Sequence, residues 1–582
     1  MANSRADANS ELSAALAPCR SAVVSLTVFS MFANLLMLTG PLFMLQVYDR
    51  VLTSGSMPTL VALAVLAAVL YALYGFLDFI RSRLLVRVGR IFDESLRDRV
   101  FEATAQQSFR SGQRRSEALS DLQTIRQFLQ GNGPIAFLDM PWAPIYLALI
   151  FAMHVMLGWL ALVAGVVLTV IAILTEQVTR KHAAEAQKAI GLAGAQADQC
   201  RTNIEVATIL GMVGRLRQRW ARTQDEALAS HMLASDRSGL LTTLSRTLRL
   251  VFQSAVLGLG AYLALKREVS PGVMIAASII MARALAPIET AVSQWPQFQS
   301  FRRSWHRLKQ FLREVPKPKP RMELPQPTGK LAVENLSAYV PGVEKPIVGN
   351  VNFALERGDG LGIIGPTGAG KSTLARALVG AWPLTRGSVR LDGATPDQWD
   401  PNVLGRAIGY LSQESELFDG TIAENISRFE ESPDPKAIVD AAQQADIHNL
   451  VLGMPDGYNT VIGQGGRRLS AGQRQRLGLA RALYGNPSLV VLDEPNANLD
   501  ATGETALVRA IAGVRARGGT VIVIAHRPSA IGALDKLMVL GDGRVAAFGP
   551  KDEILAKVLA RPVDSGGRPG GLTVVTDARG SA

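Results

Sequence analysis

The distribution of apolar and polar positions divides the chain into two unlike halves. From Ala22 to Leu45 it runs without an ionisable residue, and further charge-poor runs recur at Met57–Leu77, Met140–Leu174, Leu250–Leu265 and Val273–Ile288. A helix crossing a hydrocarbon core of ~30 Å needs about 20 apolar residues. The 140–174 run would be roughly 50 Å long as one straight helix, so it predicts two helices that turn near His154 to Trp159. Six spans are therefore expected, at 22–45, 57–80, 136–155, 157–176, 248–266 and 272–292. The first is too long for the ~7–15-residue apolar region of a secretory signal and reads as a retained span. These spans define a transmembrane domain over 21–315, preceded by a cytoplasmic tail over 1–20. A spacer at 316–328, with Pro316, Pro318, Pro320, Pro325 and Pro327, cannot continue a helix. Over 329–560 short Val/Ile/Leu strands alternate with helical stretches, the grain of an α/β domain. The Gly/Pro-rich segment 561–582 predicts disorder.

Composition sharpens this picture. The chain is 48% hydrophobic and 19% charged, against about 25% charged for a soluble average. Its net charge of +12 could serve nucleic acid, anionic lipid or cytoplasmic loops. Position decides among these. The segment after the second run holds Arg81, Arg83, Arg87, Arg90, Arg97 and Arg99, and the segment after the fourth holds Arg180, Lys181, Lys188, Arg215, Arg217 and Arg219. The turns between are nearly free of Lys and Arg, apart from Lys266 and Arg267. The positive-inside rule then places both termini and both long loops (82–133 and 178–248) in the cytoplasm and accounts for most of the basic excess without a nucleic-acid partner. Those loops read as helical extensions of the spans. Cys19 and Cys200 have no pairing or metal spacing, which excludes a disulfide framework. Arg283 within the sixth run either faces a watery path or reaches a bond at the helix end by snorkelling. Asn34 is expected to bond between helices.

The second half carries candidate chemistry. Leu361–Ile364 reads as a strand that runs into Gly365, Pro366, Thr367, Gly368, Ala369, Gly370, Lys371 and Ser372, with Thr373 opening a helix. This strand–loop–helix sequence is the context that makes a phosphate loop specific. Its glycines let backbone N–H groups close on ATP phosphates at a helix N-terminus. Lys371 is expected on the β/γ-phosphates and Ser372 on Mg²⁺. A second buried strand, Leu489–Leu492, delivers Asp493 to the Mg²⁺ and Glu494 to the attacking water as general base.

Leu469-Ser470-Ala471-Gly472-Gln473, followed by Arg474-Gln475-Arg476, resembles the ABC signature, with Ala471 where glycine is commoner. The resemblance implies that Ser470, Gly472 and Gln473 contact ATP held by a second subunit, so that two chains form a head-to-tail homodimer. It also implies that Gln413 links Mg²⁺ to the membrane domain, that Asp500 belongs to the D-loop, and that His526 is the switch histidine beside the γ-phosphate. Tyr339 either stacks on adenine, as an aromatic does in ABC exporters, or packs in the core. The implied fold is a six-span α-helical type I ABC exporter domain fused to an α/β P-loop nucleotide-binding domain.

Pro41–Leu52, Asp139–Tyr146 and Asp493–Asp500 further resemble type I secretion permease/ATPases, above all the protease- and lipase-exporter (PrtD-like) group. With about twenty residues before the first span, no N-terminal peptidase domain is expected. The resemblance implies a multi-pass protein of the bacterial inner membrane, docked to a periplasmic membrane-fusion adaptor and an outer-membrane channel. Its implied cargo is an unfolded polypeptide with a C-terminal signal, such as a protease, lipase or repeat protein. Export of lipids or small amphiphiles is the alternative, because a six-span fold does not encode cargo. A soluble ABC ATPase acting on nucleic acid would not account for six charge-poor runs.

Overall fold

Six long apolar helices dominate the first half, and their breaks follow from particular side chains. The computed structural model describes residues 11–111, 117–317, 324–339, 346–382, 384–525 and 528–559. Two compact units emerge, one of the helices up to Thr104 and from Ser116 to Pro316, the other chiefly of the strands and helices from Lys317 on, with 105–115 grouped with it. Outside the described residues lie His526, part of the Pro-rich spacer (318–323) and the Gly/Pro-rich segment beyond Leu559.

The first apolar run is bent, not the single helix expected at 22–45. Helix α1 (Arg20–Leu36) stops, and α2 (Thr39–Gln46) restarts around Pro41. Proline lacks an N–H, and its ring excludes the carbonyl four residues back, which here belongs to Met37. A π-helical turn at Val47–Val51 follows. Helix α3 (Met57–Ser111) has 55 residues, roughly 80 Å. That is over twice a ~30 Å bilayer core, so its Arg-rich second half must project beyond the lipid. After α4 (Ala118–Gln130), the third span also departs from the expected single helix at 136–155. It is α5 (Gly133–Asp139) and α6 (Trp142–Met153), broken at Met140–Pro141. Pro141 ends one segment and leads into the next.

The turn expected over His154 to Trp159 is His154 alone. Its backbone is extended (φ −164°), and its Nδ1 accepts the Met156 N–H at 3.2 Å, which caps α7 (Val155–Thr202). Trp159 already lies within α7. Gly158 allows the tight reversal, since a Cβ there would stand 2.3 Å from the Phe151 ring. Helices α8 (Val213–Leu265) and α9 (Pro271–Glu314) complete the unit. Ser270 caps α9, accepting the Val273 N–H at 3.3 Å and donating to Asp49 Oδ2 at 2.5 Å, while the Gly272 N–H reaches Asp49 Oδ1 at 2.8 Å.

Tyr146, Ile150, Leu157, Ala164, Val256, Leu263, Ala277 and Ile280 form the core among α6–α9. A second cluster gathers Phe92, Leu96, Val100, Leu122, Leu308 and Leu312. Leu12 and Ala15 join it, and Arg99 pairs with Glu11 at 3.6 Å. Residues 11–20, within the tail expected over 1–20, are helical and packed, with apolar Leu12, Ala15 and Cys19 turned inward at every third or fourth position.

The second unit holds two sheets. One is antiparallel, in the order β2 (Val348–Leu355), β1 (Leu331–Ala338), β4 (Leu384–Leu391). The other has six strands in the order β5 (Ile408–Leu411), β6 (Leu489–Asp493), β7 (Thr520–Ile524), β3 (Gly360–Ile364), β8 (Lys536–Gly541), β9 (Arg544–Pro550). It is parallel except for the β8–β9 pair. β3, β6 and β7 are buried along their whole length, which explains their unbroken aliphatic sequences. Ligands of such sheets bind beyond the carboxyl ends of the strands, and β3, β7 and β6 lie side by side there.

Candidate functional site

The phosphate loop leaves the end of β3 and enters α10 (Lys371–Leu378), capped by Gly370 in a left-handed conformation (φ 91°). A Cβ at Gly365 would stand 2.1 Å from the Leu540 carbonyl, and one at Gly370 2.7 Å from Val348, so the loop's path demands glycine at both. Lys371 is buried, and its ammonium donates to the Gly365 carbonyl at 2.9 Å and the Pro366 carbonyl at 3.0 Å. Burial lowers its pKa, opposed by Glu494 and Asp493. Pro366, Thr367 and Gly368 face outward, while Ala369 and Thr373 anchor the loop inside.

At the end of β6 the Ser372 hydroxyl donates to Asp493 Oδ1 at 3.1 Å. Asp493 is fully buried, and among the described residues its Oδ2 has no hydrogen-bond partner. Burial pushes its carboxyl above the usual range, against the bond from Ser372. An orphaned buried carboxylate oxygen beside a hydroxyl is a hard-oxygen donor set of the kind Mg²⁺ accepts. Next to it Glu494 adopts a left-handed backbone (φ 49°), a conformation side chains rarely take and one that clusters at functional sites. It turns the carboxylate so that Oε2 receives the Gln413 amide at 3.2 Å. Lys371, Ser372, Asp493, Glu494 and Gln413 thus converge.

Ser470, Gly472 and Gln473 lie elsewhere, at the start of α12 (Ala471–Leu483), which follows the short α11 (Ile422–Ile426). Ser470 and Gln473 form a capping box: Gln473 Oε1 accepts the Ser470 N–H at 2.8 Å and Ser470 Oγ accepts the Gln473 N–H at 3.3 Å. The two side chains thus hold a helix N-terminus open, a natural anion site. Gly472 lies against the D-loop, where a Cβ would meet the Asn498 carbonyl at 2.8 Å. Asp500 caps α13 (Ala501–Ala516) through the Gly503 N–H at 2.9 Å and pairs with Arg476 at 2.5 Å. Tyr339 follows β1 and is half-buried.

The membrane unit holds a polar cluster that the apolar pattern did not suggest. Arg81, counted above among basic loop residues, is 1% exposed and bonds both oxygens of Asp139. Asn34 donates to Asp139 Oδ1 at 2.7 Å, and the Tyr146 hydroxyl donates to the Asn34 carbonyl at 2.8 Å. Three buried polar residues and the half-buried Asp139 thereby join α1, α3, α5 and α6. The available signal was a charge at the edge of the third apolar run with an opposite charge at the edge of the second. Arg283 is exposed, with Nη1 3.8 Å from Met37 Sδ.

This pairing of a phosphate-binding strand end with six apolar helices is the build of an ABC transporter, and the chain belongs to that family. Residues 23–287 match the ABC transporter transmembrane region and residues 348–497 the ABC transporter family. Within it the chain is 47% identical over 95% of both chains to the type I secretion system ATP-binding protein PrsD of Rhizobium meliloti (strain 1021). It is 28% identical to the toxin RTX-I translocation ATP-binding protein of Actinobacillus pleuropneumoniae, over 92% of this chain and 77% of that one. The fold is that of a solved bacterial Atm1-family ABC exporter with ATP bound, with a TM-score of 0.74, 21% identity and 93% and 96% of the two chains covered. The chain is a multi-pass membrane protein with a nucleotide-binding ATPase domain.

Proposed function

We propose that the chain is the ATP-driven motor of a type I secretion system, exporting unfolded polypeptide across the bacterial inner membrane. The observation that carries the reading is the convergence of Ser372, Asp493, Glu494 and Gln413 at the strand ends of a chain with six membrane-length helices. Relatives named for type I secretion and toxin translocation support the cargo class.

In this reading Lys371 exchanges its loop carbonyls for the phosphates of ATP, which the loop N–H groups and the α10 N-terminus surround. Ser372 and Asp493 would hold Mg²⁺, with Gln413 near by through its bond to Glu494. The ion, when bound, offsets negative charge on the phosphate oxygens. Glu494 orients the attacking water and takes its proton. Ser470, Gly472 and Gln473 of a second copy close over the same ATP, and the role of switch histidine falls to His526, which lies outside the described residues. Closure and reopening of the cassette pair then drive the spans through their cytoplasmic extensions. A periplasmic adaptor and an outer-membrane channel complete the conduit, with both termini cytoplasmic.

The test is reconstitution of the full chain in liposomes. Glu494→Gln should bind ATP normally and lose at least about 10²-fold in turnover. A polypeptide bearing a C-terminal secretion signal should stimulate the wild-type ATPase, and lipid alone should not. Stimulation by lipid with none by polypeptide would shift the cargo to amphiphiles. Normal turnover by Glu494→Gln would overturn its role.

A further inference from the structure

Gln475 is a primary amide sealed inside the cassette at 2% exposure, and both of its ends are engaged. Its Nε2 donates to the Glu494 carbonyl at 3.0 Å, and its Oε1 accepts the Asn498 N–H at 2.8 Å. It therefore sits on α12, four residues into the helix that starts at the signature, and grips the loop that follows β6 at two points.

The first point matters for chemistry. Glu494 holds a left-handed backbone at φ 49°, which an L side chain keeps only where its surroundings over-determine it. Two bonds do this. The Glu494 N–H donates to the Ile524 carbonyl of β7 at 3.1 Å, and the Glu494 carbonyl receives Gln475. With the peptide groups on both sides of its Cα pinned, the side chain leaves the backbone in a fixed direction, and its carboxylate meets the Gln413 amide at 3.2 Å. The second point ties the D-loop to the same helix. Asn498 is bonded through its N–H, its carbonyl rests against Gly472, and the neighbouring Arg476 pairs with Asp500. A buried amide that satisfies one donor and one acceptor on separate segments specifies geometry, since either bond left unmade strands a buried group.

We propose that Gln475 is a positioning residue for ATP hydrolysis: it holds the backbone of Glu494 in the conformation that aims the carboxylate, so that the placement of the base depends on the seating of the signature helix. The inference rests on the assignment of Glu494 as the base, and its test separates the two. Full-length Gln475→Met keeps the side chain's length and bulk but removes both bonds; Gln475→Glu keeps the acceptor for Asn498 and loses the donor to Glu494. Both are compared with wild type, Glu494→Gln and the double variant Gln475→Met/Glu494→Gln, by steady-state ATPase and by equilibrium binding of a fluorescent ATP analogue.

The expected result is a drop in kcat of about 10- to 100-fold in both single variants, with KM and analogue affinity within about twofold of wild type. The double variant should be no slower than Glu494→Gln alone, since a positioner has nothing left to position. A kcat within about twofold of wild type in Gln475→Met or Gln475→Glu would overturn the proposal. So would parallel loss of kcat, affinity and melting temperature, which marks a packing role, or a further slowing in the double variant. Failure of Glu494→Gln to lose turnover would instead remove the base assignment itself.

Discussion

Arg81 and Asp139, 58 positions apart, form a two-pronged ion pair with both Nη2–O distances at 3.0 Å, inside a helical unit where the arginine is almost wholly enclosed. A charge so enclosed is tolerated because its partner is equally fixed, here by the amide of Asn34. Asp139→Asn should lower stability by roughly 3–5 kcal/mol, since the buried guanidinium keeps only the more distant, exposed Asp78, at 3.9 Å, as a counter-charge. Replacing both, as Arg81→Met/Asp139→Leu, should cost less than either single change. Thermal unfolding of wild type, Arg81→Met, Asp139→Leu and the double variant in one detergent decides: additive losses would mean that the pair carries no coupling.

The Ser372–Asp493 pair predicts a defined metal phenotype. Asp493→Asn keeps the shape and removes the charge. The Mg²⁺ concentration for half-maximal hydrolysis should rise by at least about tenfold, and chelation should abolish wild-type turnover. An unchanged Mg²⁺ titration would place the ion elsewhere.

Arg428 predicts the stability of the cassette. Its guanidinium is inserted among main-chain carbonyls, donating to Arg481 O at 3.1 Å, Ile408 O at 3.1 Å and Ala482 O at 3.2 Å, and also to Gly405 O. Burial lowers its pKa to about 10, so it remains charged at neutral pH. Arg428→Met should strand several carbonyls and cost about 2–4 kcal/mol. Arg428→Lys should rescue little, because an ammonium cannot reproduce the planar fork. Chemical denaturation of the full chain, read by fluorescence, tests both.

A pH dependence follows from the capping box of α11. Glu424 accepts the Thr421 N–H at 2.7 Å and its hydroxyl at 3.0 Å, and the backbone bond chiefly holds its carboxyl below the usual glutamate range. The depressed folded value means that the stabilisation is complete above the unfolded value of about 4.3 and is lost as pH falls through the folded one. The acid limb of the melting curve should flatten in Glu424→Gln. An identical limb in both proteins would show that the cap does not titrate with folding.

How much of this could be read along the chain depended on the range of the interactions. The apolar runs and the phosphate loop are local patterns: lipid demands about 20 consecutive apolar residues, and a phosphate demands glycines ahead of one helix turn. Residues 361–373 and 489–494 accordingly announce themselves without partners. The breaks at Pro41 and Pro141 were visible as prolines, yet whether a proline bends or breaks a span depends on what neighbouring helices supply, and Pro287 stays within α9. Arg81 was misread as a loop cation because its partner lies 58 positions away. Gln475 was passed over as part of a signature, since its worth comes from the carbonyl of Glu494 and the amide of Asn498, which only folding brings to it.

Asp49 has a mechanical corollary. By taking hold of Ser270 and Gly272 it rivets the far tip of the first hairpin to the root of α9. Those two points cannot drift apart while the rivet holds. Any rearrangement that parts the two must therefore break both bonds and leave the first turn of α9 without its carboxylate partner.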